Sequence, residues 1–121
     1  MLSAGMTMRT SYIPRRGDII WTNLDPRTGH EQSDNRPVLV ISDDSMSQST
    51  TTTIICPITS QVKNFPYEVR LVGTKTEGVV LTPQVRSIDF VARGARFAEK
   101  APESLVNEVA RKVSAIIGVP A

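Results

Sequence analysis

The sequence has almost none of the residues that build covalent or metal cross-links. Among 121 residues there is one cysteine, Cys56, and one histidine, His30. A single cysteine excludes an internal disulfide, and one cysteine with one histidine cannot supply the three or four such ligands of a zinc site. This composition fits a reducing, cytoplasmic compartment. We expect Cys56, which follows two isoleucines, to be a buried apolar residue.

Long apolar runs and a strong net charge are also missing. No segment approaches the roughly 18 consecutive apolar residues that cross a bilayer, and residues 1–15 lack the apolar centre of a signal peptide. We therefore expect a flexible leader over residues 1–12 and one domain over residues 13–121. The net charge of +2 permits an anionic partner without requiring one, although ten of the fourteen cationic residues are arginines, which suit phosphate recognition.

Short apolar segments that are rich in β-branched residues alternate with polar turns along most of the chain. Six or seven short strands are expected, and the run RPVLVIS is typical of a strand that is buried on both faces. The polar stretch 43–51 has room for one helical turn. The predicted strands cover 17–24, 36–42, 52–58 and 67–72, with two short strands within 79–98 and breaks near Pro83 and Gly94.

One longer helix is predicted near the end of the sequence. Pro102 suits the first residue of a helix, and Gly118 suits its end. Between them, apolar residues recur at three- and four-residue spacing and form one apolar face, which consists of Leu105, Val109, Val113 and Ile116. The whole pattern predicts an α+β domain that is mainly β: a small antiparallel barrel whose open side the helix covers.

A polar loop precedes the apolar strand 36–42, and loops held in this way often carry function. Arg36 opens that strand, and Pro37 keeps it out of helical geometry, so its guanidinium is expected to be anchored to the sheet and to point outwards. If strands 36–42 and 52–58 pair antiparallel, Thr59 lies at the same end of the sheet as Arg36. The segment QVRS adds the amide of Gln84 and the guanidinium of Arg86.

These groups suit a reaction whose nucleophile belongs to the substrate. The sequence has no Ser–His–Asp motif, no glycine-rich nucleotide loop and no metal-ligand cluster. RNA carries its own nucleophile, the 2′-hydroxyl, so a protein needs only to orient it, transfer protons and stabilise the charge that develops on the phosphate. The residues therefore favour cleavage of an RNA phosphodiester.

Several short motifs, taken together, resemble the MazF/PemK family of toxin endoribonucleases from bacterial toxin–antitoxin pairs. The matching segments span roughly residues 16–96 and include GDIIW, LDP, GHEQ, RPVLVIS and PITSQ. The resemblance implies an SH3-like barrel of the PemK/CcdB type, a homodimer, and cytoplasmic cleavage of single-stranded RNA without a metal or other cofactor. It also implies 2′,3′-cyclic phosphate and 5′-hydroxyl products, inhibition of translation and growth, and a MazE-like antitoxin with an acidic disordered C-terminal tail.

The resemblance implies roles for individual residues. Arg36 and Thr59 match the family's catalytic arginine and threonine, whereas His30 and Glu31 match a mobile catalytic loop on which members differ. Some relatives carry an Arg-x-Asp triplet where this chain has LTP at 81–83, so less acid–base chemistry is expected there and more of the reaction depends on Arg36. The positions that resemble RNA contacts are Gln32, Ser60, Gln61, Lys63, Gln84 and Arg86.

Two other functions stay open from the sequence. A gyrase-poisoning toxin of the same barrel fold depends on a tryptophan at the far end of the helix, and the absence of any tryptophan after Trp21 counts against that function. A non-catalytic nucleic-acid or peptide-binding module would have no need of Arg36 and Thr59 together. Trp21 itself is expected to pack in the core or at a dimer interface, and Phe65 and Tyr67 suit base stacking and loop packing equally.

Overall fold

The computed structural model of the chain describes residues 12–24 and 35–119, and these ranges contain seven β-strands and two α-helices. A 3₁₀ turn over Thr82–Gln84 separates the fifth strand from the sixth. The elements in chain order are β1 (Asp18–Asn23), β2 (Asn35–Val40), α1 (Asp44–Ser49), β3 (Thr52–Thr59), β4 (Glu68–Arg70), β5 (Val79–Leu81), β6 (Arg86–Asp89), β7 (Arg96–Lys100) and α2 (Glu103–Ile116).

Strand β3 is the centre of the sheet because it is long enough to pair with three other strands. It pairs with β2 along one side. Along its other side, residues 52–55 pair with β6 and residues 58–59 pair with β5. The strand order is β4-β5-β3-β2-β1-β7, and all of these pairs are antiparallel. The α+β class with a mostly antiparallel sheet and a C-terminal helix is therefore confirmed.

The sheet is not a closed barrel, which corrects one detail of the sequence prediction. Strands β4 and β7 stand at the two ends of the strand order, and no backbone ladder joins them within the described residues. The Glu99 carboxylate on β7 connects the two ends instead. It accepts hydrogen bonds from Lys75 N (3.0 Å), Thr76 N (2.7 Å) and Thr76 Oγ1 (2.6 Å) of the β4–β5 connection.

The core lies on both faces of the central strands, as the continuous apolar runs predicted. Leu39 packs on one side with the apolar face of α2, whereas its neighbours Val38 and Val40 pack on the other side with Ile88. In α2, Leu105 and Val109 are buried, Val113 is partly buried, and Ile116 is 36% exposed at the end of the helix. Cys56 is fully buried, as predicted.

The segment 79–98 contains more strands than the sequence predicted. Two short strands were expected there, whereas β5, β6 and most of β7 fall within it, and β7 continues to Lys100. The breaks between these strands lie at the predicted residues. Pro83 has no N–H to donate to a strand pair and lies in the 3₁₀ turn, whereas Gly94 adopts a φ of +64° in the turn before β7. In the part of the chain described, no helix has the length and apolar character needed to span a membrane.

Candidate active site

The antiparallel register of β2 and β3 brings Arg36 and Thr59 together. Val38 pairs with Pro57, so the same register continued by two residues sets Arg36 across from Thr59. Side chains that face each other in this way lie on the same face of a sheet. Both residues line two cavities of about 560 and 390 Å³. The prediction that these two residues share one end of the sheet is confirmed.

Three cavities meet at Thr59, and each takes its name here from a residue that distinguishes it. The Trp21 cavity (about 560 Å³) and the Arg86 cavity (about 390 Å³) both include Arg36 and Thr59. The aromatic cavity (about 480 Å³) includes Thr59 with Phe65 and Tyr67. Thr59 lines all three cavities, which therefore lie next to one another around this residue.

Arg36 combines a fixed backbone with an available side chain. Its backbone pairs with β1, opposite the fully buried Thr22. The guanidinium is exposed and makes no hydrogen bond or ion pair to any other residue within 12–24 and 35–119. None of the five N–H donors of this arginine is used by another described residue, so the guanidinium suits an anionic ligand in the two cavities that it lines.

The Thr59 hydroxyl is oriented by the start of the following loop. Its Oγ1 accepts a hydrogen bond from Gln61 N at 3.2 Å. A hydroxyl that accepts at its oxygen keeps its hydrogen free to donate. On the side of β3 away from β2, Thr59 pairs with Val79 on β5, so its position is fixed by pairing with β5 and by the turn into the loop.

The Arg86 cavity adds a second guanidinium to the site. Gln84 ends the 3₁₀ turn and Arg86 begins β6, and both line this cavity with Arg36 and Thr59. Arg86 reaches this position because it pairs with Ile55 in the central strand. Two guanidinium groups in one cavity raise the local potential for anions well above what a net charge of +2 suggests.

The Trp21 cavity contains residues that the sequence did not suggest for the site. Trp21 is 39% exposed, so the expectation that it packs in the core is wrong, and its place at a dimer interface stays a prediction. Ser60, predicted to contact RNA, lines this cavity, and so do Lys75 and Glu99. Burial raises the pKa of Glu99, but its hydrogen bonds outweigh that effect and leave its pKa below the ordinary value of 4.5.

Lys75 and Glu99 were missed because nothing in their local sequence indicates a role. The stretch GTKTEG predicts a turn, but the hydrogen bonds from this turn to Glu99 on a distant strand could not be read from it, and they help to hold the turn beside Arg36. The two glycines that bound this turn, Gly73 and Gly78, were the one signal in the sequence that its backbone has an unusual conformation. Gly78 has φ +126°, and its Cα lies so close to the Thr59 carbonyl that no side chain would fit.

The aromatic cavity holds two further predicted RNA-contacting residues, Gln61 and Lys63. Gln61 and Lys63 line it together with Gln84, Phe65 and Tyr67. The other three predicted site residues, His30, Glu31 and Gln32, lie outside the described residues. Seven of the ten predicted residues therefore line one or more of the three cavities: Arg36, Thr59, Ser60, Gln61, Lys63, Gln84 and Arg86.

Comparisons with known proteins give the same family from sequence and from fold. Residues 15–117 match the family of PemK-like, MazF-like toxins of type II toxin–antitoxin systems. The endoribonuclease toxin MazF of Escherichia coli K12 is 39% identical over 112 residues, which cover 92% of this chain and 100% of that protein. The endoribonuclease EndoA of Bacillus subtilis is 36% identical over 83 residues, which cover 64% of this chain and 72% of that protein.

Solved structures agree with this assignment. A crystal structure of MazF from Deinococcus radiodurans superimposes with a TM-score of 0.80 at 36% identity, over 90% of this chain and 100% of that one. The family match spans nearly the whole described structure, and the E. coli relative is covered along its full length. The chain therefore belongs to the PemK-like, MazF-like toxin family of type II toxin–antitoxin systems.

Proposed function

We propose that this protein is an endoribonuclease toxin that cleaves single-stranded RNA at specific sequences without a metal ion. The observation that carries the proposal is that an Arg36 guanidinium with no partner among the described residues and an oriented Thr59 hydroxyl line the same cavities. Family membership supports it, since the relatives from E. coli and B. subtilis are both named endoribonucleases.

In the proposed reaction the 2′-oxygen of a ribose attacks the adjacent phosphorus and the P–O5′ bond breaks. The products are a 2′,3′-cyclic phosphate and a 5′-hydroxyl end. Arg36 neutralises the extra negative charge of the pentacoordinate phosphorane, and the Thr59 hydroxyl donates to one of its non-bridging oxygens. Fixed donors of this kind stabilise the transition state without reorganising during the reaction, and each contributes about 3 kcal/mol.

Two proton transfers complete the reaction. The 2′-hydroxyl loses a proton as it attacks, and the 5′-oxygen gains one as it leaves. We assign these transfers to His30 and Glu31, because an imidazole and a carboxyl group can each accept and donate a proton. Both precede Arg36 by only a few residues in sequence, which limits how far from the arginine they can lie.

The substrate is held by the residues around the three cavities. Arg86 and Lys63 supply positive charge for the phosphates on either side of the scissile one, and forked arginine contacts suit phosphate oxygens. The side-chain amides of Gln61 and Gln84 can both donate and accept, which suits the edges of unstacked bases. Ser60 and Gln32 complete the proposed RNA-binding set.

The biological consequence follows from RNA cleavage. Cutting of cellular RNA inhibits translation and growth, so a bacterium that makes this toxin in its cytoplasm requires an inhibitor. We propose a MazE-like antitoxin whose acidic, disordered C-terminal tail covers the cationic cavities, and a homodimeric toxin. Support comes from a crystal structure of MazE–MazF from Deinococcus radiodurans, which superimposes on this chain with a TM-score of 0.79 at 32% identity.

The direct test is incubation of the purified protein with a mixed-sequence RNA in the presence of EDTA. We expect discrete fragments whose 5′-hydroxyl ends accept phosphate from a polynucleotide kinase without prior dephosphorylation. Sequencing of these ends gives the recognition sequence. A requirement for magnesium, or intact RNA after incubation with active protein, would contradict the proposal.

Matched variants separate catalysis from general charge. Arg36→Ala should reduce the cleavage rate by about 10²- to 10³-fold, and Thr59→Val should lose activity that Thr59→Ser retains. Arg111→Ala removes an exposed arginine on α2, away from the three cavities, and should cleave at the parent rate. Full activity of Arg36→Ala would remove this residue from the reaction.

A further inference from the structure

The aromatic cavity has a feature that the proposed chemistry does not use. Phe65 is 60% exposed and Tyr67 is 47% exposed, and they flank Pro66 in the loop between β3 and β4. Large aromatic side chains normally lie in the core, so two exposed ones that line the same cavity suggest a ligand surface.

The backbone that carries these rings is held firmly from three directions. The Glu68 carboxylate accepts hydrogen bonds from Asn64 N at 2.9 Å and Lys63 N at 3.2 Å. Lys112 Nζ on α2 donates to Pro66 O at 3.1 Å, and Thr82 Oγ1 donates to Tyr67 O at 2.6 Å. A surface that is fixed before the ligand arrives loses little conformational entropy on binding.

The chemistry of the cavity indicates what its occupant is. Two exposed aromatic rings can stack with a planar ring, and the side-chain amides of Gln61 and Gln84 can form hydrogen bonds with its edge. The Lys63 ammonium offers a charge partner for an attached phosphate. A ligand that has a planar ring, a polar edge and a neighbouring anionic group is a nucleotide of a single strand.

The lining residue that this cavity shares with the candidate active site indicates which nucleotide it would hold. Thr59 lines the aromatic cavity and also both cavities that contain Arg36. A strand whose scissile phosphate lies at Arg36 and Thr59 therefore has an adjacent base within reach of the rings. We propose that Phe65 and Tyr67 form a stacking platform for the base next to the cleaved phosphate; this inference rests on the proposed function.

The platform makes recognition depend on one position of the RNA, which a binding experiment can measure without catalysis. After the parent's cleavage site is mapped, an oligonucleotide with 2′-deoxyribose at that site serves as an uncleaved ligand. A series of the same oligonucleotide carries a single abasic residue at each position in turn. We expect one position beside the cut to weaken binding by about 10- to 30-fold, within the range for base–aromatic stacking.

Variants then connect that position to the rings. Tyr67→Ala should weaken binding of the intact oligonucleotide to a similar extent. Tyr67→Phe, which keeps the aromatic ring, should bind it as tightly as the parent does. Because the variant and the abasic residue remove the same contact, their losses should not multiply when they are combined. Val72→Ala, which truncates an apolar side chain that is 69% exposed outside the three cavities, should bind every oligonucleotide as the parent does.

The outcomes distinguish this inference from the proposed function. If the parent does not cleave RNA, the proposed function is wrong. If the parent cleaves RNA but both alanine variants, Phe65→Ala and Tyr67→Ala, bind all oligonucleotides as tightly as the parent, only the stacking platform is wrong. The platform would also be wrong if the loss of affinity from the alanine variant multiplied with the loss from the abasic residue at every position. That result would show that the rings contact no particular base.

Discussion

Substitution of Gly78 by alanine tests whether the close approach of two backbones builds the candidate active site. A Cβ at Gly78 would lie 2.2 Å from Thr59 O and 2.9 Å from Thr59 C. These are backbone atoms, so no side-chain rotation relieves the clash. The φ of +126° is itself unfavourable for alanine. We therefore expect Gly78→Ala to displace the end of β3 that carries Thr59.

The expected cost has two parts. An unfavourable φ costs about 1–3 kcal/mol, and forcing an extra carbon into a filled space costs about 1–3 kcal/mol more. A total of about 4 kcal/mol corresponds to a decrease in Tm of about 15 °C for a chain of this size. A shift of Thr59 by an appreciable part of 1 Å should reduce RNA cleavage by about 10²-fold.

Gly94→Ala is the matched control. Gly94 also has a positive φ, +64°, but nothing lies within 4 Å of a Cβ built there. This change should cost about 1 kcal/mol from the backbone alone and leave cleavage unchanged. Thermal unfolding by circular dichroism and cleavage rates well below each Tm measure both effects. Equal Tm values and equal rates for the two variants would refute the reasoning.

Three further predictions concern groups around the core and the sheet ends. Glu99→Gln should reduce the free energy of unfolding in urea by about 0.5–1 kcal/mol at pH 7, and by less at pH 3. The pKa of Glu99 in the folded protein lies below its ordinary value of 4.5, so the charged carboxylate stabilises the fold above pH 4.5. This stabilisation is lost as the pH falls through the lowered pKa, and equal losses of unfolding free energy at pH 7 and pH 3 would contradict the argument. Val109→Ala, at a fully buried position in α2, should lower the urea unfolding free energy by about 2 kcal/mol, and no change would mean that the helix does not pack as described. Burial raises the pKa of the Cys56 thiol to about 12, so it should react with Ellman's reagent at pH 8 only after denaturation, and rapid reaction of the folded protein would contradict its burial.

The strands and the long helix could be predicted because their signals are local. The unbroken apolar run that contains Val38 and Val40 predicted burial on both faces, and the spacing of Leu105 and Val109 predicted the buried face of α2. Arg36 and Thr59 could be placed at one end of the sheet once antiparallel pairing of these two successive strands was assumed, because strands that follow each other in sequence are usually neighbours. Their predicted catalytic roles come from resemblance to a family and stay predictions.

Other features depended on how distant parts of the chain meet. The sequence does not indicate that β3 pairs with three strands, and this arrangement is what makes Thr59 common to three cavities. The exposure of Trp21 and the link from Glu99 to the turn beside Arg36 were likewise not predictable.

Apolar periodicity, turn residues and motifs act over a few neighbouring positions, so the sequence by itself determined most of the elements, the family resemblance and the principal candidate residues. The tertiary structure alone decided which side chains share a cavity and where the sheet stays open. Those contacts join residues far apart in sequence, such as Lys75 with Glu99 and Gly78 with Thr59, and their distances depend on the path of the whole chain.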